Sequence, residues 1–123
     1  MNTRIKATNV TLSPAITDYV DKRLKSVTKL VSHDPSIICD VELARTSGHH
    51  QKGDIFRAEI HLVGRGVDAY AAAEREDLYS AIDDMRDEIT REIQARRGKR
   101  LSLIRRSGAR VKSMVKGLWP WRS

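Results

Sequence analysis

Leu78, Ile82, Met85, Ile89 and Ile93 recur at spacings of four, three, four and four. That is one apolar stripe on a helix of 3.6-residue period. Asp77 stands where an N-cap carboxylate accepts a backbone N–H that has no intrahelical partner. Gly98 predicts the stop, and Arg96 and Arg97 fall where the negative end of the helix dipole favours cations. At about 1.5 Å per residue, a helix over 77–97 runs roughly 30 Å, the width of a small domain. An element that long and one-sided needs a flat apolar surface to lie on. The preceding chain is expected to supply it.

Thr3, Ile5 and Ala7 alternate with Arg4, Lys6 and Thr8, a short strand with one polar face. Ser13-Pro14 reads as an N-cap followed by proline at the first helical position. From there Ile16, Tyr19, Val20, Leu24, Val27, Leu30 and Val31 trace a second helical stripe, closed by Asp34-Pro35. Cys39, Val41 and Leu43 alternate with Asp40 and Glu42, and Phe56, Ala58, Ile60 and Leu62 alternate with Arg57, Glu59 and His61. The polar stretch Ser47–Gly53 joins these runs into a hairpin. Gly64-Arg65-Gly66 predicts a second tight turn, leading to a strand at Val67, Ala69 and Ala71. The order is β-α-β-β-β-α, an α+β fold. Its economical form is a four-stranded mixed sheet with two helices packed on one face and the other face wet. The first crossover makes a right-handed parallel pair, and the other connections are hairpins.

Charge divides the chain more sharply than hydropathy does. Residues 1–93 hold all 16 acidic residues and 13 of the 23 basic ones, a net of −3, whereas residues 94–123 hold ten Lys/Arg and no acid. The expected organisation is a folded domain over 1–97 and a basic, flexible tail over 98–123. Within the tail Val111, Met114, Val115 and Leu118 form a short amphipathic segment near Trp119 and Trp121. Isolated segments this short are marginal in water, so it is expected to fold against a partner. Such asymmetry points to a polyanion, nucleic acid first and an anionic membrane second. A lone Cys39 excludes an intrachain disulfide framework. With no signal-peptide pattern and no run approaching a membrane span, the chain reads as soluble and cytoplasmic.

The residue types for catalysis are present without the spacing. His33, His49, His50 and His61 show no HExxH or similar ligand pattern, and Cys39 shares its alternation with core residues. Asp83, Asp84, Asp87 and Glu88 fit a solvated helix face. No catalytic residue, metal site or cofactor is therefore expected. An organised His49/His50/His61 site is what an enzyme reading would need. The binding candidates are Lys22, Arg23, Lys25 and Lys29 on the first helix and Arg86, Arg91, Arg96 and Arg97 on the second. Lys99 and Arg100 open the tail. Residues three or four apart share a helix face, so two basic rows side by side would border a groove for an RNA backbone. The competing reading is that these cations are solubilising and pair with Asp18, Asp21, Glu88 or Glu92. A second class of function is a protein- or membrane-interaction adaptor that uses the Trp-containing tail.

Three segments carry a family likeness. I-K-A-T-N-V-T-L-S-P-A-I (5–16), R-A-E-I-H-L-V-G-R-G (57–66) and A-E-R-E-D-L-Y-S-A-I-D (73–83) resemble, in this order and spacing, the bacterial ribosome hibernation-promoting factors. That family includes the ribosome-associated translation inhibitors. The resemblance covers about residues 1–97, and D-x-Y-x-A-I-D from Asp77 to Asp83 is its most specific part. It implies a non-catalytic protein bound to the neck of the small ribosomal subunit, in the path of mRNA and of A- and P-site tRNA, stopping initiation while the ribosome is idle. It also implies RNA contacts at Lys22, Arg23, Lys25, Lys29, Arg91, Arg96 and Arg97. Glu88 and Glu92 stand where similar chains usually carry Lys and Gln, so less phosphate binding is expected of the second helix. Long members have a further dimerisation domain, for which the 26 residues after Arg97 are too few.

Overall fold

The computed structural model describes residues 1–47 and 53–114, with side chains as far as Gly98 except that of Ser47. Strands β1 (Asn2–Thr8), β2 (Ile38–Ser47), β3 (Asp54–Gly64) and β4 (Val67–Arg75) form one sheet in the order β1-β2-β3-β4. β1 and β2 are parallel, and the other pairs are antiparallel. Helices α1 (Pro14–Arg23) and α2 (Lys25–Leu30) form the crossover between β1 and β2, and α3 (Leu78–Met114) follows β4. The expected β-α-β-β-β-α fold with a four-stranded mixed sheet is the one found.

The register explains why only one face of the sheet is dry. Ile5, Val41, Ile60 and Ala71 pair in a single row across all four strands, and Thr3, Cys39, Leu62 and Ala69 form the next. With a side-chain period of two, both rows point to one face. There they join Val20, Leu24, Val27 and Val31 of the crossover and the α3 stripe Leu78, Ile82, Met85, Ile89 and Ile93 in one core. Ile82, Met85 and Ile89 are fully buried, each burial stabilising by about 1.5–3 kcal/mol. Cys39 is a core residue as expected, and burial pushes its thiol pKa up to about 12, far from nucleophilic.

Local chemistry sets the element ends. Ser13 Oγ accepts the Ile16 N–H at 3.2 Å, with Pro14 at the first helical position. Asp77 Oδ2 accepts both the N–H and the hydroxyl of Ser80 at 3.0 Å. The crossover helix is interrupted at Leu24, where ψ is −2°, yet the Thr28 N–H still reaches the Leu24 carbonyl at 2.9 Å, so the apolar stripe stays in phase. The helical path ends earlier than Asp34-Pro35 predicts. His33 N–H bonds to the Thr28 carbonyl and Ser32 N–H to that of Lys29, a Schellman closure with Ser32 and His33 at φ +57° and +54°. Gly64 is required by close approach: a Cβ there would sit 2.8 Å from the Ile37 backbone.

The predicted stop at Gly98 does not occur, and α3 continues to Met114. Gly98 has no positive φ. A glycine in right-handed conformation costs a helix only about 1 kcal/mol relative to alanine, and Arg96, Arg97, Lys99, Arg100 and Leu101 around it are good helix formers. Residues Met1–Ile93 form one compact unit and Gln94–Ser123 a second, whose described backbone, to Met114, is helical. Val115–Ser123, with Trp119 and Trp121, lie outside the described residues, as do His49 and His50 of the hairpin loop.

Candidate nucleic-acid interface

The first unit offers three surfaces: the open sheet face, the outer face of α1–α2, and the outer face of α3 up to Ile93. The open sheet face is laced with partners of opposite charge. Arg4 makes a two-pronged pair with Asp40, at 2.7 and 3.0 Å. Arg57 reaches Glu59, Glu74 and the Tyr70 hydroxyl, and Tyr70 in turn donates to Glu59. His61 lies 2.8 Å from Asp68. These contacts hold the Asp40 and Glu59 carboxyls below their ordinary pKa, through the hydrogen bonds from Arg4 and Arg57 respectively. A hollow of about 600 Å³ beside the start of α3 is lined by Glu74, Arg75, Glu76, Asp77, Ile55 and Ser80, a set too acidic for phosphate.

On α3 the basic candidates Arg86 and Arg91 already have carboxylates. Arg86 Nε pairs with Asp87 at 2.8 Å and Arg91 with Glu88. Asp84 holds Arg75 of β4 at 2.6 Å. Asp83 Oδ1 takes both the Arg23 Nε at 2.9 Å and the Tyr19 hydroxyl at 2.8 Å. The expected acidic face of the helix is therefore a set of ion pairs. The guanidinium of Arg23 also donates to the Tyr19 hydroxyl at 3.0 Å and lies 4.9 Å from the centre of the Tyr19 ring. Its pKa is raised, first by the hydrogen bond to Tyr19 and then by the charge of Asp83.

Lys22, Lys25 and Lys29 differ. With Val20, Leu24, Val27 and Val31 turned into the core, the 3.6 period places these lysines on the opposite side of the helical path. All three are exposed, and they make no ion pair with the described residues. The structure thus brings Lys22, Lys25 and Lys29 into one outward row and turns Arg23 aside toward α3. The groove expected between two basic rows is instead bridged by Arg23, Tyr19 and Asp83. Arg96 and Arg97 are exposed and belong to the second unit. The side chains of Lys99 and Arg100 lie outside the described part.

Two residues enter the site that charge counting passed over. Tyr19 and Tyr79 meet edge to face, ring centres 4.8 Å apart. The i, i+4 pairs Tyr19–Arg23 and Tyr79–Asp83 were the available signal, because each sets an aromatic ring against a charge on one helix face.

Residues 3–101 match the family described as Sigma 54 modulation protein / S30EA ribosomal protein. The chain belongs to this family. It is similar to a ribosome hibernation promoting factor of Pseudomonas putida, at 28% identity over 110 residues, which are 89% of this chain and all of the relative. Among solved structures it is similar to the N-terminal domain of Protein Y from Thermus thermophilus, with a TM-score of 0.60 and 28% identity over 77% of this chain and 98% of that one. A ribosomal subunit interface protein from Coxiella burnetii shares the fold, with a TM-score of 0.60 at 16% identity over 80% and 99% of the two chains. The resemblance carried by 5–16, 57–66 and 73–83 is thus a family membership. Its most specific motif now has a physical content. Asp77 caps α3, Tyr79 packs on Tyr19, Ala81 and Ile82 fill the core, and Asp83 holds Tyr19 and Arg23.

Proposed function

We propose that this chain is a ribosome hibernation factor that binds the small ribosomal subunit at the decoding region, in the path of mRNA and tRNA. It holds back translation in idle or stressed cells without a catalytic step. Family membership and the hibernation factor of Pseudomonas putida support the ribosome as partner. The observation that carries the RNA surface is the outward row Lys22, Lys25 and Lys29, because the remaining cations on the helical face of the first unit are engaged by carboxylates. Lysines without an acidic partner among the described residues gain the full counterion release when they meet phosphate. Arg23, Arg86 and Arg91 must first exchange a carboxylate. Half-buried to exposed pairs of this kind are worth about 1 kcal/mol or less, so the exchange is feasible but secondary. Arg96, Arg97, Lys99 and Arg100 of the basic second unit are further proposed RNA contacts.

A sucrose gradient of stationary-phase lysate, probed for this protein, tests the proposal. The expected result is co-migration with small subunits and whole ribosomes, lost on nuclease treatment. Absence from both fractions contradicts the proposal. A complex that survives nuclease supports an adaptor working through protein contacts.

A further inference from the structure

The centre of the helical face is neutral and aromatic, unlike the lysine row beside it. Arg23 and Asp83 cancel at 2.9 Å, so this spot has little attraction for phosphate. Tyr79 nevertheless leaves 39% of its surface exposed. Its ring is braced edge to face by Tyr19, which is itself fixed by the hydroxyl bond to Asp83 and by the guanidinium of Arg23. Tyr19 lies one helical turn before Lys22, so the aromatic pair adjoins the lysine row on the same surface.

We propose that Tyr79, braced by Tyr19, is a stacking platform for an unpaired RNA base whose flanking phosphates lie on the lysine row. The inference rests on the RNA-binding reading and deepens it by assigning the base contact. A single-stranded segment has two parts to satisfy, charged phosphates and flat bases, and proteins that hold such segments set an aromatic ring beside a basic track. The face of α1–α2 and α3 provides both, the lysine row and, one turn from Lys22, the Tyr19 against which Tyr79 packs. A ring braced by a neighbour that is itself fixed also gives up little freedom on binding. Local neutrality suits a base, which is uncharged, better than a backbone.

The test measures binding of the full chain to purified small ribosomal subunits across a salt series, for the native protein and for Y79L, Y79F and Y79W. Circular dichroism melting checks that each variant is folded. The expected result is a loss of about 5- to 150-fold for Y79L, the equivalent of one base–aromatic stack. Y79F and Y79W should remain within a few-fold of native, and the salt slope should be unchanged in all three, because no phosphate contact is removed. Native-like affinity of folded Y79L overturns the platform, as does a loss in Y79L matched by a shallower salt slope. A native chain that does not bind the subunit at any salt overturns the RNA-binding reading itself, and the platform with it. A variant in which Lys22, Lys25 and Lys29 are alanine serves as the contrast, with a shallower salt slope expected.

Discussion

The crossover helices α1–α2 and the first four turns of α3 lie over the same sheet and use their charge in opposite ways. Along α3, Asp83, Asp84, Asp87 and Glu88 each hold an arginine. Along α1–α2, Lys22, Lys25 and Lys29 face outward without an acidic partner among the described residues. Both elements bury an equally strict apolar stripe, so packing does not separate them. The contrast shows that a basic residue on a helix marks a binding surface only after its own neighbours have been accounted for. The division proposed for this unit gives α3 mainly packing and α1–α2 the phosphate contacts.

The largest expected effect sharpens that division from the α3 side. Met85→Ala should lower the stability of the folded protein by about 2–5 kcal/mol through the cavity it leaves, read as a shifted denaturant midpoint. Lys22→Ala should leave that midpoint within about 0.5 kcal/mol while weakening subunit binding. A Met85→Ala protein as stable as native would break the assignment of α3 as the structural element.

Removal of Gly98–Ser123 comes next. It takes eight Lys/Arg from a region that has no acid, and every phosphate that is no longer neutralised lowers the salt slope by about 0.7–0.9. Subunit binding should weaken at low salt and its salt dependence should flatten. Unchanged binding at every salt concentration would confine recognition to the α1–α2 surface.

A smaller effect runs in the opposite direction. Glu88→Gln releases Arg91 from its principal carboxylate and should tighten subunit binding by roughly 2- to 5-fold, as expected for one added exposed charge contact. Equal affinity would show that Arg91 faces away from the RNA.

The smallest effect concerns acid. Asp34, Asp40 and Glu59 all titrate below their ordinary values, held first by hydrogen bonds from Ser36, Arg4 and Arg57 respectively. A carboxyl lowered in the folded state contributes stability that is present above its unfolded value and is lost as pH falls through the folded one. Melting temperature should therefore be flat at neutral pH and decline only through and below the ordinary carboxylate range. Arg57→Ala should shallow that decline by freeing Glu59, measured as melting temperature against pH.

Much of the fold was legible because it follows from period alone. The alternation at Cys39–Leu43 and Phe56–Leu62, the stripe from Leu78 to Ile93, and the caps at Ser13 and Asp77 are local signals, and each survives in the structure. The misses came from competition between weak local terms. Gly98 reads as a stop, but a glycine ends a helix only if it turns left-handed, and its neighbours favour continuation. Asp34-Pro35 reads as the end of the crossover helix, yet Ser32 and His33 close it first without any glycine to announce the turn. The site was legible as a set of cations and illegible as a pattern of pairing. Tyr19 and Asp83 are 64 residues apart, and nothing in the spacing of Arg23 reveals that Asp83 occupies it. The family likeness was legible in three short segments, strongest in their order and spacing, and the match over residues 3–101 makes it a membership.

The central claim is that the outward lysines of α1–α2 hold the small ribosomal subunit. The most direct test compares the salt dependence of subunit binding for the native chain and for K22A/K25A/K29A, with melting curves to confirm that both are folded. The triple variant should lose at least about tenfold in affinity at moderate salt, with a slope shallower by roughly two to three. A folded triple variant with native affinity and native slope would contradict it.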